Sequence, residues 1–315
     1  MPQSSALDGK LVVLIGGSGY VGTHIAQDLL NRGARLRVAS RNPEKAYTLK
    51  PLANLGQLQF ARCNVTHEKS LEAAMHGADA VVYLVGAFSG KLDAIQAEGA
   101  GKAAQIAKQA GASSFVYVSA IGADANSSSD YARTKALGEQ AVLGAFPQAT
   151  VMRPSVLFGE DDNFLNMFGS VISSFPVVPV FGSDSQLQPL WVDDAAEAIG
   201  NALADPATHG GKTYELAGPD VMTMGAINEK IAAAQERKRH FIAVPDSLTG
   251  LFAALPGTPM NKDQWTMLKD GSTASGTLPG IKELGVTPKP MSLFLNRWMT
   301  RYRRNGRFAM QPANQ

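Results

Sequence analysis

The stretch between residues 12 and 31 constrains the fold of this chain more than any other part of the sequence. An apolar run at residues 12–15 leads into the glycine-rich turn GGSGYVG at residues 16–22, and apolar residues then recur at helical spacing. This pattern predicts a strand, a tight turn and a helix. Gly16 permits a sharp turn off the strand, Gly19 permits a ligand to approach the backbone, and Gly22 permits the helix to lie close to the sheet.

The turn has the spacing G-x-x-G-x-x-G and stands directly between an apolar strand and a helix. In that context the free N–H groups at the start of the helix face bound phosphates, so the three glycines favour the pyrophosphate site of a dinucleotide. An ordinary glycine turn of an α/β protein remains the alternative, because a glycine triplet by itself is a weak signal.

Short apolar runs and helical patterns alternate along the first half of the chain. Strands are predicted at residues 35–39, 58–61, 80–84, 115–118 and 150–152, and helices at 43–49, 66–77 with Thr66 as its cap, 92–110 and 135–143. Such alternation is typical of a parallel sheet with helices on both faces. The predicted fold class is therefore α/β, a doubly wound parallel-sheet Rossmann fold that binds ligands beyond the carboxyl ends of its strands.

The second half of the chain is less regular. A strand is predicted at residues 177–181 and helices at 194–203, 223–236, 247–254, 262–269 and 291–303. We expect an NAD(P)-binding Rossmann domain at residues 1–155, to which residues 187–217 return. Residues 156–186 and 218–315 are expected to form a smaller C-terminal α/β lobe.

The residues that end the second predicted strand, Ser40-Arg41-Asn42, decide which nicotinamide cofactor is favoured. A site for NAD(H) places a carboxylate about 20 residues beyond the glycines to hold the ribose 2′-hydroxyl, whereas the 2′-phosphate of NADP(H) needs a cation. Arg41 supplies the cation, and no acidic residue stands beside it. NADP(H) is therefore favoured and NAD(H) stays possible, since a solvated arginine looks the same in a sequence.

Ser119, Tyr131 and Lys135 form a second candidate set. Ser119 follows the fifth predicted strand, and Tyr131 and Lys135 stand four residues apart, so they share one face of a helix. A nearby ammonium lowers the pKa of a phenol, which then exchanges a proton with a carbonyl oxygen, and the same ammonium can approach the nicotinamide ribose. The spacing Y-x-x-x-K is common by chance, so an exposed helical pair is the alternative.

Composition narrows the classes of function. The 315 residues carry a net charge of +2, which is too small to imply a nucleic-acid partner. The single cysteine, Cys63, excludes an internal disulfide, and the five histidines lack metal-ligand spacing, so no metal site is predicted. The first strand starts too early for a secretory leader, and prolines break the apolar stretch at residues 171–181, so no transmembrane segment is expected and the location is cytoplasmic.

Several longer segments carry a family resemblance: VSAIGAD at residues 118–124, YARTKALGE at 131–139, RPSVLFG at 153–159, NFLN at 163–166 and QPLWVDD at 188–194. Over essentially its whole length the chain resembles the short-chain dehydrogenase/reductase superfamily, in its extended or atypical branch. Within that superfamily it is most similar to the accessory nucleotide-binding subunits of respiratory complex I, the ninth-subunit family of the alpha subcomplex, and to their bacterial relatives.

The resemblance implies a set of cofactor contacts, and it implies that members of the complex I family hold NADPH as a structural ligand without turnover. The pyrophosphate would contact Gly16, Ser18, Gly19, Tyr20, Val21 and Gly22. The 2′-phosphate would contact Arg41, and the adenine Asn64 and Val65. The ribose would contact Leu84, Val85, Gly86 and Lys135, and the nicotinamide Pro154, Ser155 and Val156.

Three hypotheses for the function follow. The first is an NADP(H)-binding accessory or assembly protein of respiratory complex I. The second is an active NADP-dependent reductase or epimerase on a small carbonyl or quinone-related substrate, with Tyr131 as acid and base. The third is a regulator that senses the redox state of NADP(H).

The chain ends in a basic aromatic segment that is expected to dock on complex I subunits or on an anionic membrane surface. A solvated helix end is the alternative. Docking would make the protein peripheral on the inner membrane, on the matrix side if a presequence has been removed. The segment contains Arg297, Trp298, Arg301, Tyr302, Arg303, Arg304, Arg307 and Phe308.

Overall fold

The computed structural model describes residues 5–255, 260–304 and 306. The chain forms two compact units. The first unit contains the residues up to 155 together with 192–217 and 274–288, and the second contains 156–191, 218–273 and the residues from 289 onward. The chain therefore leaves and re-enters the first unit twice.

The strands and helices follow one another along both units. The strands are β1 (Leu11–Ile15), β2 (Arg35–Ser40), β3 (Leu58–Arg62), β4 (Ala80–Tyr83), β5 (Ser114–Val118), β6 (Thr150–Pro154), β7 (Leu157–Phe158), β8 (Val177–Phe181), β9 (Gln186–Leu187), β10 (Leu190–Trp191), β11 (Thr213–Leu216), β12 (Met222–Thr223) and β13 (His240–Val244). The helices are α1 (Tyr20–Asn31), α2 (Glu68–Met75), α3 (Gly99–Gln109), α4 (Asp130–Ala145), α5 (Phe164–Ser174), α6 (Val192–Ala204), α7 (Pro206–His209), α8 (Met224–Ala234), α9 (Asp246–Ala254), α10 (Lys262–Asp270) and α11 (Leu295–Met299). None of the helices within the described ranges has the length and apolar character needed to cross a membrane.

Seven strands of the first unit form one parallel sheet in the order β3-β2-β1-β4-β5-β6-β11. Strands β1, β4 and β5 are buried along their whole length, which explains their continuous apolar runs. The strand order runs outward in opposite directions from β1 and from β4. The carboxyl ends of these two strands therefore form the switch point of a doubly wound sheet, and the predicted fold class is confirmed.

The second unit has three short strand pairs: β7 with β10 and β8 with β13 in parallel, and β9 with β12 antiparallel. Its core contains three stacked aromatic side chains. The ring centroid of Trp191 lies 3.9 Å from that of Phe294 and 6.0 Å from that of Trp298. Helices α5, α8 and α11 and strands β7, β8 and β9 contribute further apolar side chains to this core.

The predicted helix at residues 291–303 is wrong as one continuous element. The structure divides it into a 3-10 turn at Met291–Leu293, helix α11, and a second 3-10 turn at Thr300–Tyr302. Two of its cations have partners inside the second unit. Arg301 donates to the backbone carbonyl of Glu160, and Arg303 donates to the carbonyl of Ala234 at the end of α8. The tail residues Arg307 and Phe308 lie outside the described residues.

One prediction about local structure is corrected by a contact with a neighbouring side chain. Thr66 does not cap α2: its hydroxyl and its N–H donate to Asn64 Oδ1, and the helix begins at Glu68 after His67. Of residues 187–217, those from 192 onward lie in the first unit, and residues 187–191 lie in the second unit, where β10 pairs with β7. Residues 274–288 also belong to the first unit. There the N–H and the hydroxyl of Ser275 donate to Glu215 Oε2, and the Glu215 N–H donates to the Pro279 carbonyl.

Helix α4 lies unusually close to β5. The Tyr117 hydroxyl donates to the carbonyl of Gln96 at 3.0 Å, and Gly138 lies directly against both groups. A Cβ at residue 138 would overlap the Tyr117 hydroxyl oxygen and the Gln96 carbonyl oxygen. The missing side chain at Gly138 therefore permits the packing of α4 against the sheet.

Replacing Gly138 with alanine is expected to destabilise the protein by about 1–3 kcal/mol, because the added methyl group forces apart a buried hydrogen bond. Gly144→Ala is the matched control on the same helix, since a methyl group there would have no atom within 4 Å beyond its own stretch of helix. That control is expected to be neutral or to stabilise by about 0.5–1 kcal/mol through helix propensity. Urea denaturation of both variants measures the difference, and equal effects would contradict the packing argument.

Candidate functional site

The glycine turn follows β1 and passes against the carboxyl end of β4. Gly16 has a φ of +86°, and a Cβ there would lie 3.1 Å from Val85 Cγ2 and 3.2 Å from the Val85 amide nitrogen. A Cβ at Gly22 would lie 2.6 Å from the Cα of Gly17. The absence of side chains at Gly16 and Gly22 therefore lets the turn fold tightly and α1 start close to it.

The first turn of α1 has the character of an anion site. Gly19 stands at its N-cap with extended backbone angles and offers no side chain to cap the helix. Backbone N–H groups and the helix dipole at such an end attract phosphate. The Ser18 hydroxyl donates to the Ser40 hydroxyl at 2.8 Å and so joins the turn to the end of β2.

A cleft of about 280 Å³ lies at the carboxyl ends of β1, β2, β3 and β4. These ends flank the switch point, where sheets of this topology bind their ligands. The cleft is lined by Ile15, Gly16, Ser18, Gly19, Ala39, Ser40, Arg41, Asn42, Lys45, Cys63, Asn64, Val65, Leu84, Val85, Gly86, Ala87 and Ile95.

Two cations face the cleft beside the end of β2. Arg41 follows this strand directly, and Lys45 lies in the 3-10 helix Pro43–Leu52. Both side chains are exposed to solvent. Among the described residues that line the cleft there is no carboxylate, so its charge is complementary to an anionic ligand.

The residues after β3 form another wall of the cleft. The Asn64 N–H donates to the Ser70 hydroxyl at 2.9 Å, and the Asn64 side chain accepts the two bonds from Thr66. Burial raises the pKa of the neighbouring Cys63 thiol, an effect that a hydrogen bond with Ser70 partly opposes. This wall therefore offers a fixed amide group and a protonated, small apolar side chain.

Lys135 is buried beneath the cleft, with only 2% of its surface exposed. Its ammonium donates to the carbonyl of Val118 at 2.7 Å and to the carbonyl of Val85 at 3.2 Å. Burial lowers the pKa of Lys135 to about 7, and the Glu139 carboxylate partly opposes this shift. Lys135 therefore ties the end of β5 to a cleft residue and holds its proton weakly.

Tyr131 and Ser119 complete the candidate catalytic set. A Cβ at Gly86 would lie 3.7 Å from the Tyr131 hydroxyl and 3.5 Å from Lys135 Nζ, so both groups border the same cleft residue. The Ser119 hydroxyl is buried and makes no hydrogen bond to any residue that the structure describes. A buried hydroxyl without a partner is costly, which makes it a natural partner for a ligand atom.

The structure brings many of the predicted cofactor residues to this one cleft. Pro154 and Ser155 lie instead at the carboxyl end of β6, two strands from β4, and Val156 begins the second unit. Tyr20, Val21 and Gly22 form the first turn of α1 behind the lining. Those on the cleft are Gly16, Ser18, Gly19, Arg41, Asn64, Val65, Leu84, Val85 and Gly86.

Sequence reasoning missed Lys45 and Ile95 as cleft residues. Lys45 stands four residues after Arg41, and this spacing could have indicated a second cation at the cleft. Ile95 belongs to a π-helical segment, Asp93–Glu98, that the sequence does not distinguish from an α-helix. The Tyr83 hydroxyl donates to the Ile95 carbonyl, and the side-chain amide of Gln96 donates to the Ala87 carbonyl at 3.1 Å.

The residues present fit a nicotinamide dinucleotide. Glycine backbone and a helix start can meet its diphosphate, and two cations stand beside β2. Ser119, whose hydroxyl has no partner among the described residues, directly follows Val118, the acceptor of a bond from Lys135. In residues 5–255, 260–304 and 306 no group of three or more His, Cys, Asp or Glu side chains is placed to hold a metal ion.

Comparison with known proteins agrees with this site. Residues 16–162 match a protein family described as NAD(P)H-binding, so this part of the chain is an NAD(P)H-binding domain. A nucleoside-diphosphate-sugar epimerase from Staphylococcus aureus has a similar structure, with a TM-score of 0.72 at 17% identity over 90% of this chain and 99% of that one. At this identity the likeness shows the fold alone.

Two curated relatives are similar in sequence. The ceramide reductase of Caulobacter vibrioides is 29% identical over 62% of this chain and 61% of its own length. The mitochondrial NADH dehydrogenase (ubiquinone) 1 alpha subcomplex subunit 9 of Dictyostelium discoideum is 30% identical over 97% of this chain and 88% of its own length. The chain therefore belongs to the family of the NADH dehydrogenase (ubiquinone) 1 alpha subcomplex subunit 9 proteins.

Proposed function

We propose that the cleft binds NADP(H) in preference to NAD(H). The observation that carries this proposal is the pair of cations at the end of β2, Arg41 and Lys45, with no carboxylate among the described lining residues. In a sheet of this topology the ribose 2′ position lies at that strand end. A 2′-phosphate there gains two charge-assisted interactions, whereas a 2′-hydroxyl lacks the acidic partner that NAD(H) sites provide.

We propose that the other cleft residues contact the remaining parts of the cofactor. The glycine turn and the first turn of α1 hold the diphosphate, Asn64 and Val65 border the adenine, and Leu84, Val85 and Gly86 border the nicotinamide half, with Lys135 below them. Pro154, Ser155 and Val156 are proposed to approach the nicotinamide. The bound cofactor supplies or accepts a hydride at that ring.

We propose further that the protein is an accessory or assembly subunit of respiratory complex I, in which the nucleotide stabilises the fold. Support comes from the similarity to a mitochondrial subunit of this complex along 97% of the chain. Such a protein is peripheral on the membrane that carries the complex. A ligand that binds only the folded state adds stability by mass action, so retention of the nucleotide needs no turnover.

A reductase is the second candidate, favoured by the chemical groups beside Gly86. The Tyr131 hydroxyl can give a proton to a carbonyl oxygen, and Lys135 Nζ lies 5.7 Å from the centroid of the Tyr131 ring. The Ser119 hydroxyl can donate to the same oxygen. A relative named ceramide reductase is 29% identical over 62% of this chain, which supports a reaction of this class.

Replacing Arg41 with alanine is expected to weaken NADPH binding by about 10–100-fold and to leave NADH binding nearly unchanged, because the lost cation faces the 2′-phosphate. Lys45→Ala is expected to act in the same direction. Lys50→Ala is the matched control, since Lys50 lies in the same 3-10 helix with its ammonium 3.7 Å from the Tyr47 ring centroid. Calorimetric titration of ligand-free protein tests this, and equal losses for NADPH and NADH would contradict it.

Lys135 is expected to make the stability depend on pH. Its pKa is about 7 in the folded protein and about 10.4 in an unfolded chain. Between these values the unfolded state binds one more proton, so the free energy of unfolding rises with pH. Relative to Lys135→Met, the wild type is expected to gain about 1 kcal/mol per pH unit from about pH 7 to pH 9 in urea denaturation. If the free energy of unfolding has the same pH dependence in both proteins, the pKa of Lys135 is not lowered by burial.

The accessory and reductase functions make different predictions for Tyr131→Phe. As an accessory subunit, the protein purified without added nucleotide retains NADP(H) and co-purifies with complex I subunits, and the variant does both equally well in native mass spectrometry. As a reductase, the wild type oxidises NADPH when a carbonyl substrate is supplied, and the variant loses this activity by about 100-fold or more. Loss of activity in the variant with no complex I subunit bound to the wild type would overturn the accessory function.

A further inference from the structure

The second unit has an apolar face that its own core does not use. In β8 the side chains of Val178 and Val180 are buried, and those of Val177 and Pro179 therefore lie on the opposite face. Ile242 of β13 is the register partner of Pro179, so it shares that outer face. Val177 is 46% exposed and Ile242 is 57% exposed, so this two-stranded sheet presents aliphatic side chains to the surroundings.

Helix α9 extends this apolar surface. The Phe252 ring stacks on the Phe181 ring at the end of β8, with ring centroids 4.9 Å apart. Leu248 and Leu251 lie on an exposed side of the helix, Leu255 follows its last residue, and the three side chains are 57%, 64% and 54% exposed. We name the outer side chains of β8 and β13 together with these three leucines the aliphatic face.

Cations cluster at the start of β13, next to the aliphatic face. Arg237 and Arg239 donate to backbone carbonyls of Tyr302 and Ile172, and Lys238 between them is exposed. Burial lowers the pKa of Arg237, and the nearby charges of Arg239 and Arg304 add to the shift, so these guanidinium groups lie close together. In the described part of the chain none of the three residues 237–239 forms an ion pair with a carboxylate.

The two features adjoin because β13 begins immediately after Arg239. Its first residue, His240, is the register partner of Val177, whose side chain belongs to the aliphatic face. Protein-binding surfaces are enriched in aromatic residues, methionine and arginine and depleted of lysine. The exposed side chains of this face are instead leucine, isoleucine and valine, and the exposed cation beside them is Lys238. Aliphatic side chains bordered by uncompensated cations match a surface that enters the headgroup region of an anionic bilayer.

We propose that the aliphatic face and the cations of residues 237–239 dock the second unit directly on an anionic phospholipid surface. The leucines of α9 and Ile242 enter the boundary between headgroups and acyl chains. Lys238 and the neighbouring arginines attract the lipid phosphates. This contact does not depend on the nucleotide cleft or on any complex I subunit.

Co-sedimentation of the purified full chain with vesicles tests the proposal. The wild type is expected to bind vesicles of phosphatidylcholine mixed with phosphatidylglycerol, to bind phosphatidylcholine alone much less, and to release at high salt. Leu251→Asp is expected to weaken binding by about tenfold and Lys238→Glu by about fivefold. Both side chains are exposed, so the folded state is expected to survive, and circular dichroism checks this.

Matched controls separate the face from general effects of charge. Leu55→Asp makes the same change at a fully exposed leucine of the first unit, and Lys108→Glu reverses an exposed charge on α3. Both are expected to bind vesicles like the wild type, as is Arg41→Ala, which reports on the nucleotide site. The proposal is overturned by no binding to anionic vesicles, or by equal binding of Leu251→Asp. It is also overturned if Leu251→Asp abolishes only a dimer in sedimentation equilibrium or only the binding of complex I subunits.

Discussion

The close backbone approach in the first unit, where the turn after β1 meets the end of β4, determines most of what this protein can bind. Gly22 lies so close to the Gly17 backbone that a Cβ there would overlap it, and Gly16 has a positive φ at which a side chain would be strained. With those side chains absent, the start of α1 and the strand ends enclose a cleft instead of filling it. The same carboxyl end of β4 accepts a bond from Lys135, which links the cleft to the candidate catalytic groups.

The sequence was sufficient for the alternating part of the fold because a strand buried on both faces must be a continuous apolar run. It was not sufficient where an element depends on a distant backbone group. Residues 274–288 join the first unit through hydrogen bonds between Ser275 and Glu215, and no local sequence pattern predicts these bonds. Thr66 has the composition of a helix cap, but its hydroxyl has the Asn64 side chain as a nearer acceptor.

The residues of the candidate site likewise differ in how far the sequence alone predicts them. Glycines and Arg41 are recognisable because their chemistry and spacing are fixed by the diphosphate and the 2′-phosphate. Burial is not encoded locally, so neither the desolvation of Lys135 nor the partnerless Ser119 hydroxyl could be predicted from Y-x-x-x-K spacing. These two facts have a bearing on function, since a weakly held proton and an unpartnered hydroxyl are consistent with structural binding and with catalysis alike.

The two units differ in how they satisfy their polar groups, and this difference bears on the arginines near the end of the chain. At the start of α1 the N-cap is a glycine without a side chain, which leaves an anion to complete the helix end. In the second unit, Arg239 and Arg303 donate to carbonyls at the ends of α5 and α8, so these helix ends are completed internally. A sequence shows where cations stand but not which acceptors they face. Beyond these helix ends, the second unit exposes the aliphatic face of β8, β13 and α9, which a polar ligand cannot cover and an apolar phase can.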